Sequence, residues 1–398
     1  MTRTEKITWL FFGATSIQLA FLQPYIILVP GEHSNLFSAL LCFLSLIVAL
    51  ISMGRGALRF RSPEFLVSVA LLALGVASAL SSLPLRSPSF RVTVLLASGL
   101  GGFWCARCLL NTPENQRRFH WLCLVLLGGV LFLSLTGYLL RREIQPLFFT
   151  GSNHPLTNLI LLLSFAPLTL LRAKSRPLVL LGVTLLTLSY VVLCLSQRLS
   201  VVLIPVGLGV AGLLFGTVRW KHVVAGLLVL GLIIGLFSHQ ILWFKLSQEY
   251  PSYRIENFFF SWEIARQHPL VGIGLSSPRE RFLQDYQIKY PYENREKFAQ
   301  ELAIIHTPDN QLLTFLSGLG FPFTIVYFLA VLTLLVKLVG ITFRPPPGLY
   351  FPPLALLFPL AAALIHFQFY DGLLFPQSCW FFHILLGLIP AATRNLET

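Results

Sequence analysis

The sequence predicts an all-α polytopic membrane protein: a helical bundle of about 12 transmembrane helices, with a long helical loop between spans 9 and 10. Two observations carry this. The chain is 55% hydrophobic with a mean hydropathy of +0.75, and only 11% of its residues are charged. Soluble domains carry about a quarter charged residues. The second observation is one long polar stretch, Gln240 to Asn310, with apolar runs of membrane-spanning length on both sides. It holds nine of the sixteen carboxylates and eight of the 29 Lys and Arg residues.

A spanning helix needs roughly 20 mostly apolar residues. Such runs lie near 8–29, 35–53, 64–84, 91–111, 119–140, 155–172, 177–195, 199–217, 221–241, 311–337, 350–369 and 375–392. The chain therefore divides into spans 1 to 9 over 1–241, a loop or cap over 242–310, and spans 10 to 12 over 311–398. No small-residue cleavage site follows the long first span, so no signal peptide is expected.

Charge distribution gives the orientation. With the N-terminus inside, the short inner loops carry the basic clusters, among them Arg55, Arg59, Arg61, Arg117, Arg118, Arg172, Lys174 and Arg176. The outer loops carry chiefly Arg86, Arg91, Arg141, Arg142 and Arg198. By the positive-inside bias both termini are cytoplasmic and the polar segment is outside, which in a bacterium makes it a periplasmic helical loop. The net charge of +13 thus reflects topology, and no nucleic-acid partner is expected. The six cysteines are scattered and define no disulfide framework. Cys105 and Cys108 form a lone CxxC without a second pair, which reads as inert thiols rather than a metal site.

Taken in order, spans 1 to 4 are apolar helices joined by short loops. Span 5 runs into LLRREIQPLFFTGSNHPLTN, which brings Arg141, Arg142 and His154 to the outer surface. Snorkelling accounts for the arginine pair taken alone. Spans 7 and 8 are separated by LSQRLS, whose Arg198 faces outward against the charge bias. An arginine there is a functional-site candidate, with snorkelling to lipid phosphates as the alternative. In the loop, Ile255–Gln267 reads as an amphipathic helix carrying Phe258, Phe259, Trp262, Ile264 and Ala265, with packing as the expected role of most of its aromatics. It stops at HPLVGIG. Ser277 caps a second helix with Pro278 at its first position, and a third runs over 294–305. Span 10 opens with HTPDNQLLTFLSGLGFPFTIVYFL. His306, Asp309 and Asn310 stand at its outer end, where Asp309 or Asn310 also suits an N-cap.

Three separated patches coincide in order and spacing with motifs of a known family. LSQRLSVVLIPVGLG, YRIENFFFSWEIARQHPLVGIG and HTPDNQLLTFLSGLGFPFTIVYFL resemble those of the O-antigen ligase and polymerase superfamily, over about residues 150–340. The resemblance implies a helical bundle with a periplasmic cap in the bacterial inner membrane. It also implies a glycosyltransferase acting on a glycan carried by undecaprenyl diphosphate. A ligase takes the lipid A core as acceptor; a polymerase, the alternative, takes another lipid-linked glycan. A transporter is a further alternative, opposed by the lack of internal repeats and of acidic residues deep in the spans; Asp371 and Glu64 sit at span ends.

By resemblance the family's arginines map onto Arg198 and Arg254, and its histidine onto His306. Many members place the histidine directly before an asparagine, whereas here Asp309 precedes Asn310. The leaving diphosphate gathers negative charge, which arginine forks stabilise. His306 is then the first candidate for a base and Asp309 the second. Arg141, Arg142, His154 and Asn310 are further site candidates. No DxD or His/Asp cluster is visible in the loops, so a metal-independent, inverting reaction with no cofactor is expected. The partners implied are the lipid-linked donor, the acceptor and membrane lipids.

Overall fold

The computed structural model describes residues 3–22, 32–52, 62–81, 89–141, 154–196, 250–275, 310–343, 349–368 and 370–393. Among them there is no strand. The helices are α1 (Arg3–Ile17, continued by a π-turn Gln18–Leu22), α2 (Glu32–Ser52), α3 (Pro63–Ser81), α4 (Ser89–Leu109), α5 (Pro113–Arg141), α6 (His154–Leu163), α7 (Phe165–Leu170), α8 (Arg176–Ser196), α9 (Tyr250–Gln267), α10 (Gln311–Phe343), α11 (Pro353–His366) and α12 (Pro376–Thr393). By length and composition α3, α4, α5, α8 and α10 are able to cross a membrane. Phe37–Ile51, Pro155–Leu170 and Pro353–His366 are shorter apolar helices. Expected spans 8 and 9 lie outside the described residues, as do the two later loop helices.

An apolar chain becomes helical here because a backbone in hydrocarbon must satisfy its own N–H and C=O groups. Prolines mark the starts. Pro63, Pro113, Pro353 and Pro376 each occupy a first helical position, where their missing N–H is harmless. Ser62 Oγ accepts from Phe65 N at 3.3 Å, and Thr112 Oγ1 from Asn115 N at 3.3 Å. The expected sixth span is broken into α6 and α7 at Ser164. Pro167 explains the break, since it has no N–H to offer the Leu163 carbonyl four residues back.

α4 and α12 form the centre of the bundle. A methyl group at Gly102 would stand 2.5 Å from the Trp380 carbonyl oxygen, and one at Gly387 2.5 Å from that of Phe103. Small residues are what allow two membrane helices to approach this closely. Trp380 is fully buried, donates to Ser16 Oγ at 3.2 Å and packs against Phe12. His383, also buried, donates Nδ1–H to the Cys379 carbonyl at 2.7 Å and meets the Tyr327 hydroxyl at 3.2 Å.

The outer helices turn large apolar side chains outward at helical spacing: Leu66, Val69, Leu72, Val76 and Leu80 on α3, and Ile325, Leu329, Leu332 and Val336 on α10. In water such stripes would be an aggregation hazard. In a bilayer they are the lipid-facing surface. Cys105 and Cys108 are free thiols, as are the other described cysteines.

α10 is not one straight rod. Gly320 has φ +82° and ψ 172°, which interrupts the helix, and Pro322 follows. The break deprives the Ser317 and Gly318 carbonyls and the Phe321 N–H of their usual partners. The segment after α9 supplies all three. Ile273 N donates to Ser317 O at 3.0 Å, Gly274 N to Gly318 O at 2.8 Å, and Phe321 N to Pro269 O at 2.8 Å. Ser78 Oγ of α3 adds a bond to Gly318 O at 3.1 Å. Thus the residues HPLVGIG and SGLGFP, remote in sequence, close one another's hydrogen bonds about 9 Å down α10, at 1.5 Å per residue from Gln311.

This clasp predicts the effect of adding a methyl group. Gly272 has φ +62°, and a Cβ there would lie 2.4 Å from the Gly318 carbonyl carbon. Gly272→Ala is expected to cost about 1–2 kcal/mol for the left-handed backbone and about 1–3 kcal/mol for overpacking. Pro322→Ala, inside a break already accommodated, is expected to be milder. Thermal unfolding of the detergent-purified variants checks this; equal midpoints for wild type and Gly272→Ala would contradict it.

Candidate active site

The described polar groups concentrate at the end of the bundle where α10 begins. Asn310 caps α10: its Oδ1 accepts from Leu313 N at 3.1 Å, while its Nδ2 donates to Gln368 O at 2.9 Å. The next residue, Gln311, is fully buried. Its backbone N donates to Phe367 O at 2.8 Å, and its Oε1 accepts from Leu373 N at 2.8 Å. The entrance of α10 is thereby tied to the end of α11 and to the short turn that leads into α12.

That turn carries a carboxylate. Asp371 is 1% exposed, and Thr314 Oγ1, one helical turn below Asn310, donates to its Oδ1 at 2.5 Å. Beside it, buried His366 faces Asn158 of α6, with Nδ1 2.6 Å from Asn158 Oδ1. A Cβ at Gly372 would come 2.6 Å from Asn158 Nδ2, so the two groups adjoin. Ser378, Gln377 and Thr157 are buried at the starts of α12 and α6. Among the described residues the side-chain nitrogens of Gln311 and Asn158 are buried without a hydrogen-bond partner. Buried amide nitrogens are ordinarily satisfied by protein, water or a ligand. The cluster combines a carboxylate, an imidazole and several amides and hydroxyls: groups that hold sugar hydroxyls and steer protons.

α9 stands against α10. Phe260, Ser261, Ile264 and Ala265 are buried, and Trp262 meets Phe321 edge-on with ring centroids 5.8 Å apart. Glu263 is buried too, accepting from Gln267 Nε2 at 2.9 Å and pairing with Arg266 at 3.2 Å. Packing accounts for Phe260, Ile264 and Ala265 but not for the whole aromatic face: Phe258, Phe259 and Trp262 remain about half exposed. They stand outward because the narrow buried stripe of α9 is already filled by the smaller Ser261 and Ala265 beside Phe260 and Ile264.

Arg198, Arg142, His306 and Asp309 lie outside the described residues. Arg254 has its place on α9, seven residues before Ser261. Arg141 is the last residue of α5, and His154 the first of α6, one turn before Asn158. Asn310 is where the sequence puts it, at the start of span 10, and it serves as the cap. Missed by the sequence reading were Gln311, Thr314, Asn158 and His366, while Asp371 was placed only as a span end. A signal existed: Asn158, His366 and Asp371 are strongly polar groups within or beside runs otherwise almost wholly apolar.

Residues 182–328 match the family model described as O-antigen ligase. Over this segment the chain is similar to the O-antigen ligase family. It opens in α8 and closes in α10, taking in Arg198, Arg254, His306, Asp309 and both halves of the glycine clasp. No curated protein matched the chain. An O-antigen ligase or polymerase type of membrane glycosyltransferase is the class this domain supports.

Loss of the Thr314 hydroxyl tests how tightly the buried carboxylate is held. Thr314→Val removes one buried hydrogen bond to that carboxyl group, expected to cost about 1–3 kcal/mol. A lowered thermal unfolding midpoint checks it. An unchanged midpoint would mean that Asp371 draws its stabilisation from elsewhere.

Proposed function

We propose that the protein transfers a glycan from undecaprenyl diphosphate to an acceptor hydroxyl at the outer face of the inner membrane, with the lipid A core as acceptor. The observation that carries the reading is the clasp. It binds the helix that bears Arg254 to the helix whose entrance follows His306 and Asp309, inside the domain shared with the ligases. Axial lengths support a common site. From Phe321 up to Gln311 is ten residues, and from Trp262, which touches Phe321, back to Arg254 is eight. At 1.5 Å per residue these are about 15 and 12 Å. If α9 lies along α10 toward its entrance, Arg254 comes nearly level with Gln311.

In this mechanism Arg198 and Arg254 hold the diphosphate. As the bond between the anomeric carbon and the phosphate oxygen breaks, charge on that oxygen meets guanidinium groups already in place. His306 takes the proton of the acceptor hydroxyl as its oxygen bonds the anomeric carbon from the opposite side, which inverts the centre. Asp309 orients His306 or the acceptor. Asp371, Asn158 and His366 form a polar floor beneath the entrance.

The test uses the purified full chain in nanodiscs with lipid-linked repeats, with and without lipid A core. Transfer that requires the core supports ligation. Laddered products from lipid-linked repeats alone would make the enzyme a polymerase, and no product in either arm would sink the proposal. Activity is expected to persist in EDTA. Folded His306→Ala protein is expected to bind donor but transfer about 10²–10⁴-fold more slowly; normal transfer would remove His306 as the base. Arg198→Lys and Arg254→Lys are each expected to lose turnover, because a point charge does not reproduce the bidentate fork; full rates would oppose a phosphate role.

A further inference from the structure

At the opposite end of the bundle a cavity opens among the starts of α5 and α11 and the end of α7. Its volume is about 480 Å³. Arg117 of α5 and Arg172, just past α7, both line it, and no carboxylate does. Neither arginine makes an ion pair among the described residues, whereas the neighbouring Arg118 pairs with Glu114. The remaining lining is largely apolar and aromatic, including Leu170, Leu178, Phe351 and the half-exposed Trp121.

The cavity wall is held rigidly. His120 Nε2 lies 2.8 Å from the Ala166 carbonyl, which only accepts, so this nitrogen carries the proton. The other, Nδ1, then accepts from the Tyr350 hydroxyl at 2.9 Å. One imidazole thus joins α5, α7 and the segment before α11. Phe351 packs edge-on against Phe165 at 5.5 Å and against Tyr350 at 5.0 Å. The two guanidinium groups come from separate segments, α5 and the turn after α7, beside a cavity whose wall is held by other residues.

We propose that this cavity binds the phosphodiester headgroup of an anionic phospholipid from the adjoining leaflet, which the charge bias makes the cytoplasmic one. Two permanently charged planar forks suit a phosphate whose oxygens they can grip in pairs. Basic pockets between membrane helices on the cytoplasmic side are the recurring form of such a site. Apolar side chains line the cavity together with the arginines, and Trp121 is 41% exposed, as suits an amphipathic ring at headgroup level. A soluble anion would use the arginines but leave the apolar lining uncovered. The site is therefore a lipid site, distant from and independent of the polar cluster at the entrance of α10.

The experiment is lipid retention by the detergent-purified full chain, read by native mass spectrometry with added phosphatidylglycerol or phosphatidylcholine. Wild-type protein is expected to retain the anionic lipid selectively. The Arg117→Gln/Arg172→Gln variant is expected to bind it about 30-fold more weakly, and Arg118→Gln equally well, given ~1 kcal/mol per arginine near an anionic surface at 1.4 kcal/mol per tenfold. Equal retention of the two lipids, or equal retention by wild type and double variant, overturns the proposal. Displacement of the lipid by millimolar inorganic phosphate would make this a soluble-anion site and overturns it too. If the double variant does not fold, wild-type and Trp121→Phe protein decide. Brominated phosphatidylglycerol is expected to quench a fluorescence component that Trp121→Phe lacks, and no such difference counts against the site.

Discussion

Three backbone hydrogen bonds hold the rest of this structure in place. A helix interrupted in hydrocarbon strands polar groups that no water can reach. Here Gly320 interrupts α10, Pro322 withholds its N–H from the Gly318 carbonyl, and the chain after α9 returns to fill the gap with Ile273 N, Gly274 N and Pro269 O. The fit leaves no space for a side chain at Gly272 or Gly320, whose backbones also occupy the left-handed half of conformational space. The chain after α9 gives the Ser317 carbonyl and the Phe321 N–H the backbone partners that the break in α10 denies them. α9 is therefore joined to the bundle by the demands of the backbone and not merely by the packing of its apolar face.

The consequence reaches the candidate site. α9 carries Arg254, and α10 begins where His306 and Asp309 lead in. A site assembled from two segments about fifty residues apart needs a rigid connection between them, since misplacement of about 1 Å is costly to a reaction that depends on orientation. The clasp provides it on one side. On the other, Gln311 fixes the entrance of α10 to Phe367 and Leu373, and Thr314 binds Asp371. The polar cluster is thus tied at once to α6, α10, the end of α11 and the turn before α12.

Much of this was legible in the sequence, and the reasons for the rest are specific. Apolar runs locate helices because hydropathy and length are local properties; most described helices overlap the expected runs, though α1, α5 and α10 extend several residues beyond theirs. The break at Ser164 was legible in principle, since Pro167 lies in the span, but membrane helices tolerate proline often enough that composition alone does not place a break. HPLVGIG was readable as the end of a helix. What it hydrogen-bonds was not, because the partner lies more than forty residues away and the bonds are made by backbone, which leaves no side-chain signature. Asp371 was visible as a carboxylate at a span end. Its burial depends on Thr314 and Gln311 arriving from another helix, and no periodicity in its own segment records that. In the same way, the half-exposed Phe258, Phe259 and Trp262 follow from how narrow the stripe of α9 is that meets α10.

The two ends of the bundle use polar residues in opposite ways, and the difference follows from what lies beyond each. At the entrance of α10 most of the polar groups are buried and bonded to other segments of the bundle; they suit a ligand oriented in a water-poor setting. At the far end the arginines project from the rim while the hydrogen bonds beneath them, from His120 to Tyr350 and Ala166, only hold the wall. A buried polar cluster costs desolvation whether or not it is used, so its fourfold anchoring at one end makes sense if geometry there matters. Exposed arginines keep their hydration and ask for no such support. They answer to the charge of the lipid surface, which a rigid cavity between two of them turns into a site with a shape.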